Sequence, residues 1–423
     1  MSLPNPPELV MRDIDKLLYN FIWENKPDKI NREQMSQPYC SGGVKMINIY
    51  IHAKSLKISW MRRLFKGTID SSSFMLMNLF IPENLQFKEN LGDEHFCQMA
   101  SVTTNRFWKE VFLAYSGLHS VTCTSISCHP LWKNSLIRIS NESVFYKSWY
   151  KKGIIFINDL LDGDGSFLSL NSFRLKWEVN VNFLQYSGLC RAIKCGYSNY
   201  DLLKADQPLR PDTISLVCKF NKGCSHIYNQ LLNKNLKKCK SLEKWKRHFD
   251  IDDKLWGNYC SQTFNCTLDV GLRWFQYKIV HRILFTNDLL FKLKLVNEKC
   301  CSFCGIHVET PIHLFCECQL SSRIWTSLSH WISRKTDNRI EFSSKNILFG
   351  FKGSQNKALN CIMFVVKKLL YSNKMQNKVP YFLQFKSAII DYYRSEEYIA
   401  IMKGNYISFR KKWISLDKMF SKA

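Results

Sequence analysis

The sequence predicts a mostly α-helical, multi-domain protein with few short strands, and three observations carry that prediction. Apolar residues recur at three- and four-residue intervals along most of the chain. At 423 residues, 46% of them hydrophobic and 14% aromatic, the chain can build two or three domains with separate cores. Gly42-Gly43 and the polar, proline-ended run from Tyr197 to Pro211 break the pattern where segments would join.

The first element is an amphipathic helix from Leu9 to Trp23, with Leu9, Ile14, Leu17, Leu18, Phe21 and Ile22 near helical spacing and Pro27 marking its end. A second helix runs from Ile47 to Phe65. Lys54, Lys57, Arg62, Arg63 and Lys66 give it a basic face, which is either an ordinary solvated face or a phosphate-contacting one. Residues 68–128 read as mixed and helical, around the landmark Asn105-Arg106-Phe107-Trp108. Pro130 to Ile139 suggests a short extended stretch. Asp162-Gly163-Asp164-Gly165 has the alternating carboxylates of a calcium loop but lacks its further ligands and closing Glu, so a tight turn is expected.

Helical spacing resumes from Phe167 to Ile193. From Ile214 to Phe249, apolar positions alternate with lysines, as in a helical pair with a basic exposed side; Asp252-Asp253 then looks like helix-capping chemistry. The densest amphipathic helix spans Gly271 to Leu284. There Arg273, Trp274, Tyr277, Lys278 and Arg282 interleave aromatic and basic character, which suits stacking on unpaired bases with phosphate contact. Aromatics at helical spacing more often serve core packing. Further helices are expected at Ser321–Ile332, Leu359–Tyr371, Pro380–Tyr393 and Glu396–Trp413.

Between them lies Cys301-Ser-Phe-Cys304, then His313 and Cys318, spaced C-x2-C-x8-H-x4-C. Three soft thiolates and one imidazole suit Zn²⁺, and four protein ligands make a site structural. Cys316 offers a tighter but possible alternative for the last ligand, and a lone C-x-x-C can also be a redox pair or two core cysteines.

The net charge of +25, from 60 basic and 35 acidic residues, implies attraction to polyanions. Nucleic acid is the first expectation; an anionic membrane surface, or a lysine-rich chain with no partner, fits the same number. Seventeen cysteines at irregular spacing, with no signal peptide after Met1-Ser2-Leu3-Pro4, point to a reducing intracellular setting, nuclear or cytoplasmic. No apolar run reaches the ~20 residues of a membrane span. Ile362 to Leu370 is interrupted by Lys367 and Lys368 and reads as a packed helix. Phosphate-binding loops, nucleophile elbows, H-E-x-x-H helices and paired catalytic aspartates are all missing from the sequence, and no small-molecule substrate is expected.

Taken in order, these landmarks resemble the C-terminal half of a LINE-type (non-LTR) retrotransposon reverse transcriptase polyprotein. The similar words are Phe21-Ile22-Trp23, Gly42-Gly43, Ala53 to Trp60, Asn105 to Trp108, Lys147 to Gly153, Asn158 to Leu161, Phe183 to Tyr186, Leu272 to Tyr277 and Glu309 to Phe315. The resemblance runs from about Leu9 to Trp413 and rests on the order of the words. It implies a thumb-like helical segment over 1–66, a linker or tower-like region over 67–210, and a basic helical C-terminal domain over 211–423 with a zinc knuckle at 300–325. It also implies Cys318 as the fourth ligand, RNA and DNA as partners, and a palm-containing reverse transcriptase chain as a further one. The family's catalytic palm and endonuclease have no counterpart in these residues, so polymerisation or nicking by this chain alone is not expected.

Overall fold

Helical spacing is realised along nearly the whole chain. The structure, a computed structural model, describes residues 3–67, 72–82, 85, 87–122, 126–197, 212–234, 238–336 and 339–420. The helices are α1 (Glu8–Trp23), α2 (Arg32–Ser36), α3 (Ile49–Lys66), α4 (Ser72–Asn78), α5 (Asp93–Val102), α6 (Arg106–Thr122), α7 (Lys147–Lys151), α8 (Leu170–Trp177) and α9 (Phe183–Gly196). They continue as α10 (Asp212–Cys218), α11 (Ser225–Lys234), α12 (Lys240–Lys246), α13 (Asp253–Asn265), α14 (Val270–Val280) and α15 (Asn287–Lys292). The last are α16 (Gln319–Thr336), α17 (Ser344–Phe349), α18 (Lys357–Met375), α19 (Phe382–Met402) and α20 (Tyr406–Trp413). Strands β1 (Arg138–Ile139) and β2 (Glu142–Ser143) pair antiparallel and form the only sheet among the described residues. The fold is therefore mostly α-helical.

Two compact units emerge, one from 1–26 with 47–236 and the other from 27–46 with 237–423. This grouping differs from the expected segments. Residues 27–46 belong with the C-terminal unit, and α10 and α11 belong with α3 instead of with the C-terminal domain. The expected boundary in 198–211 lies outside the described residues.

In the first unit, α3, α5, α6, α10 and α11 enclose one core, including Ile58, Phe96, Phe112, Tyr115, Val217 and Ile227. A second core forms where β1, α8 and α9 meet Trp132, Trp149 and Leu160. Three of the words that carry the resemblance deliver core side chains here: Trp149, Leu160 and Tyr186. Helical spacing over 167–193 is split into α8 and α9 because Glu178 turns left-handed (φ 50°). Asp162 closes its turn by accepting from the Asp164 and Ser166 amides, as a tight turn requires.

The second unit is organised around α18. Its apolar residues are buried almost all round, which marks a helix at the centre of a core. Lys367, read from sequence as an interruption, is fully buried there. Its ammonium donates to Gln276 Oε1 and to the Leu348 carbonyl (3.0 Å), and burial holds the amine down at about 7. Pro380–Tyr393 and Glu396–Trp413, expected as two helices meeting near Ser395, are divided later. Helix α19 runs unbroken to Met402, and Gly404 (φ 67°) ends the turn before α20. Asp252 caps α13 by accepting from the Leu255 amide. Gly42 sits at φ 79°, and a side chain on Gly43 would strike the Gln37 carbonyl at 1.9 Å, so the expected Gly-Gly turn is obligatory. No helix of the described residues is long and apolar enough to cross a membrane.

Two cations read as surface features of α3 are internal. Lys57 donates to the Leu3 carbonyl (2.6 Å), pairs with Glu110 (2.9 Å) and lies 4.2 Å over the Phe107 ring. Burial alone would raise the Glu110 carboxyl, but the Asn5 amide, Lys57 and Arg106 outweigh it and hold the group below its ordinary value. Arg62 donates to the carbonyls of Val217 (3.1 Å) and Gly223 (2.7 Å). Helix α3 is covered on more than one side, by α6 and by α10 and α11, so positions that look solvent-facing on a wheel are enclosed.

Replacing Arg62 with Leu strands two carbonyls. We expect a loss of about 2–4 kcal/mol in the stability of the first unit by denaturant titration; an unchanged midpoint would refute the internal role. Acid sensitivity follows from His95 and His281. Burial holds both imidazoles down at about 4, helped at His95 by Lys88 and Lys133 and opposed at His281 by the Gly42 carbonyl. The unfolded chain binds their protons from about pH 6.5 downward and the fold does not, so stability should drop between pH 6.5 and 4. His281→Leu should flatten that dependence in the second unit, as read from denaturant midpoints at pH 7 and 4.5.

Candidate metal centre

The C-x-x-C pair is presented by a short hairpin-like loop. Cys300 bridges Val308 antiparallel, the Cys301 amide donates to the His307 carbonyl (2.8 Å), and the Glu309 amide donates to the Lys299 carbonyl (2.8 Å). The turn closes when the Gly305 amide donates to the Cys301 carbonyl (2.8 Å), with Gly305 at φ 67°. The Phe303 amide points at Cys301 Sγ (3.4 Å).

The other two ligands come from the segment that leads into α16. Residues His313–Glu317 form a π-helical turn, and the Cys318 amide donates to the His313 carbonyl (2.8 Å). In a regular α-helix the residue three beyond His313, Cys316, would be its neighbour on one face. The wider π turn brings Cys318, five beyond, round to the histidine instead. Cys316 turns the other way, toward the Ser344 carbonyl (3.7 Å). Carbonyls in the turn find side-chain donors: Ser321 Oγ donates to Leu314 (2.6 Å) and Trp325 Nε1 to Phe315 (2.7 Å).

The ligand atoms of Cys301, Cys304, His313 and Cys318 all lie within 4.8 Å of one another, forming a Cys₃His cluster that can hold a metal ion. Cys301 and Cys318 are 3.9 Å apart at sulfur, and Cys304 Sγ is 3.3 Å from His313 Nε2. His313 Nδ1 faces the Glu317 carboxylate at 3.9 Å, which leaves Nε2 to face the thiols. Burial alone would raise Cys304, but the His307 and Ile306 amides and the His313 ring hold its thiol down at about 6. Burial pushes Cys301 up to about 12, against the Cys304 and Phe303 amides and with the neighbouring thiols adding to it. One sulfur is thus prepared as a thiolate, and the buried one needs a cation beside it to become one.

Sequence reasoning missed the carboxylate beside this cluster. Glu309 is fully buried; Oε1 accepts from the Asn287 amide (2.9 Å) and pairs with Lys374 (2.9 Å), while Oε2 accepts from the Ser302 amide (2.8 Å). Lys374 also donates to the Phe285 carbonyl (2.9 Å). The available signal was a Glu between the two ligand pairs together with a lysine on the apolar helix.

The residues expected to touch nucleic acid separate into two groups. Lys57, Arg62 and Tyr277 are buried and used internally; Tyr277 is 2% exposed and sits against the Trp274 ring (5.2 Å) and the His281 ring (4.2 Å). Its ring is closed to an incoming base because Trp274, His281 and Phe264 pack around it. Arg63 is exposed over the Trp60 ring (3.9 Å), and Lys54 is half-buried. Arg273, Trp274, Lys278 and Arg282 are half-buried; Lys278 lies 5.7 Å over Trp274, Arg273 donates to the Thr267 carbonyl, and Arg282 lies 4.6 Å over Trp245. No protein-family model matches this chain.

The geometry predicts different fates for two neighbouring cysteines. Cys318→Ser should lose the bound metal, whereas Cys316→Ser should retain one ion per chain by elemental analysis. Equal loss in both would reject the assigned fourth ligand.

Proposed function

We propose that this chain is the zinc-holding, nucleic-acid-binding C-terminal half of a LINE-type (non-LTR) retrotransposon reverse transcriptase, and that it catalyses nothing by itself. The ordered series of similar words from Leu9 to Trp413 is the observation that carries this reading. Zinc is supported by the donor set and by spacing. Four ligands at ~2.0–2.3 Å around Zn²⁺ imply S–S edges of roughly 3.8 Å and S–N edges of roughly 3.5 Å, beside 3.9 Å and 3.3 Å here. Such a site is closed by protein ligands and therefore structural.

Nucleic-acid binding is supported by the +25 charge and by exposed cations such as Arg63. The role in an intact parent would be to grip template RNA and target DNA while a palm, on the same or another chain, performs synthesis. One observation favours a second reading, a helical zinc scaffold without nucleic acid: Lys57, Arg62 and Tyr277 are already used within the fold. That reading requires bound zinc and no salt-dependent binding of polyanions.

Filter binding with single-stranded RNA and DNA decides between them. We expect measurable affinity at low salt, falling by roughly 300-fold between 50 and 200 mM if about six phosphates of a single strand are engaged. No binding at 50 mM would sink the nucleic-acid reading.

A further inference from the structure

A cavity of about 290 Å³ opens in the second unit where the end of α12, the turn after α14, and α15 come together beside Pro311 of the cysteine loop. Its charged lining is Lys244, Arg247, Arg282 and Lys292, with His248 and a single carboxylate, Asp288. That carboxylate is held by Lys292 at 2.6 Å. Among the described residues no carboxylate forms an ion pair with Lys244 or Arg247, and the one carboxylate that attracts Arg282, Asp288, is already held by Lys292, so four cations face the cavity against a single carboxylate. Like charges held around a concave space repel one another unless an anion joins them.

The backbone adds a second observation. Arg282 follows α14 in the left-handed region (φ 56°), a conformation uncommon for a residue with a long side chain. The turn lays its guanidinium over the Trp245 ring (4.6 Å), and one of its N–H groups donates to the Lys244 carbonyl (3.3 Å). The guanidinium is thereby fixed at the cavity wall. Guanidinium groups offer paired N–H donors that match phosphate oxygens, and a preorganised fork loses little freedom on binding. The volume is at the small end for ligand pockets and suits a phosphate with its sugar better than a larger ligand.

We propose that this pocket seats one phosphate group of a single-stranded nucleic-acid backbone, with Arg247 and Arg282 as its principal donors. The inference rests on the nucleic-acid reading above and gives it a specific anchoring point.

The test uses the full chain and a fluorescently labelled single-stranded oligonucleotide, with anisotropy read across a salt series. Arg247→Gln/Arg282→Gln should weaken binding about tenfold or more and lower the salt slope by about 0.7 for each phosphate no longer neutralised. Arg247→Gln alone, at an exposed position, guards against misfolding of the double variant. Lys403→Gln/Lys411→Gln removes the same charge from exposed positions outside the pocket and should change affinity much less. A pocket variant no weaker than this control overturns the proposal. Orthophosphate titration, followed through the arginine Nε–H NMR signals, separates the two sources of phosphate. Shifts at Arg247 and Arg282 in a wild-type chain that binds no oligonucleotide would reject the backbone assignment and the nucleic-acid reading together, leaving a free-phosphate site. Oligonucleotide binding without any effect of the pocket variants would reject the pocket alone.

Discussion

The buried Glu309 carboxylate is the constraint around which the cysteine loop is arranged. With no solvent contact, it must be neutralised and hydrogen-bonded within the protein, and it draws partners from three places in the chain: the start of α15, the C-x-x-C turn and α18. Removing one partner from such a pair typically costs about 3–5 kcal/mol, because the other charge remains buried alone. The loop is therefore fastened to the central helix by an ion pair on one side. On the other side, the π-helical turn at His313–Glu317 and the Cys318 junction join it to α16.

These two fastenings divide the work. The Cys₃His cluster brings residues 301–318 into one local unit. Glu309 and Lys374 then set that unit against the core of Ile324, Trp325, Leu328 and α18. A metal alone would order the loop without deciding where it rests, and the ion pair alone would leave buried thiols crowded together. Both sit next to the basic cavity, whose wall includes Pro311 from the same loop.

Positive charge has two distinct uses in this molecule. Lys57, Arg62, Lys367 and Lys374 lie inside and satisfy carbonyls or carboxylates that helix packing would otherwise strand. The other cations include the exposed groups on which attraction to a polyanion depends. A formal charge of +25 counts both kinds equally and so overstates the electrostatic face available to a partner.

Helical character, the Gly42-Gly43 turn, the Asp252 cap and the first three residues of the metal cluster, Cys301, Cys304 and His313, were legible because each depends on local chemistry: periodicity, φ > 0, a cap oxygen, or ligand type and spacing. Which side of a helix meets solvent was not. Arg62 and Arg63 are adjacent basic residues on one helix, yet one is enclosed by α10 and α11 and the other is exposed, a difference made by elements some 150 positions away in the chain. Spacing likewise left Cys316 and Cys318 open, because the choice rests on a π turn whose carbonyls are met by Ser321 and Trp325. Sequence by itself determined the residue chemistry and the local shapes. The tertiary structure decided which charges are used inside, because burial is a property of distant neighbours brought together and not of the residues alone.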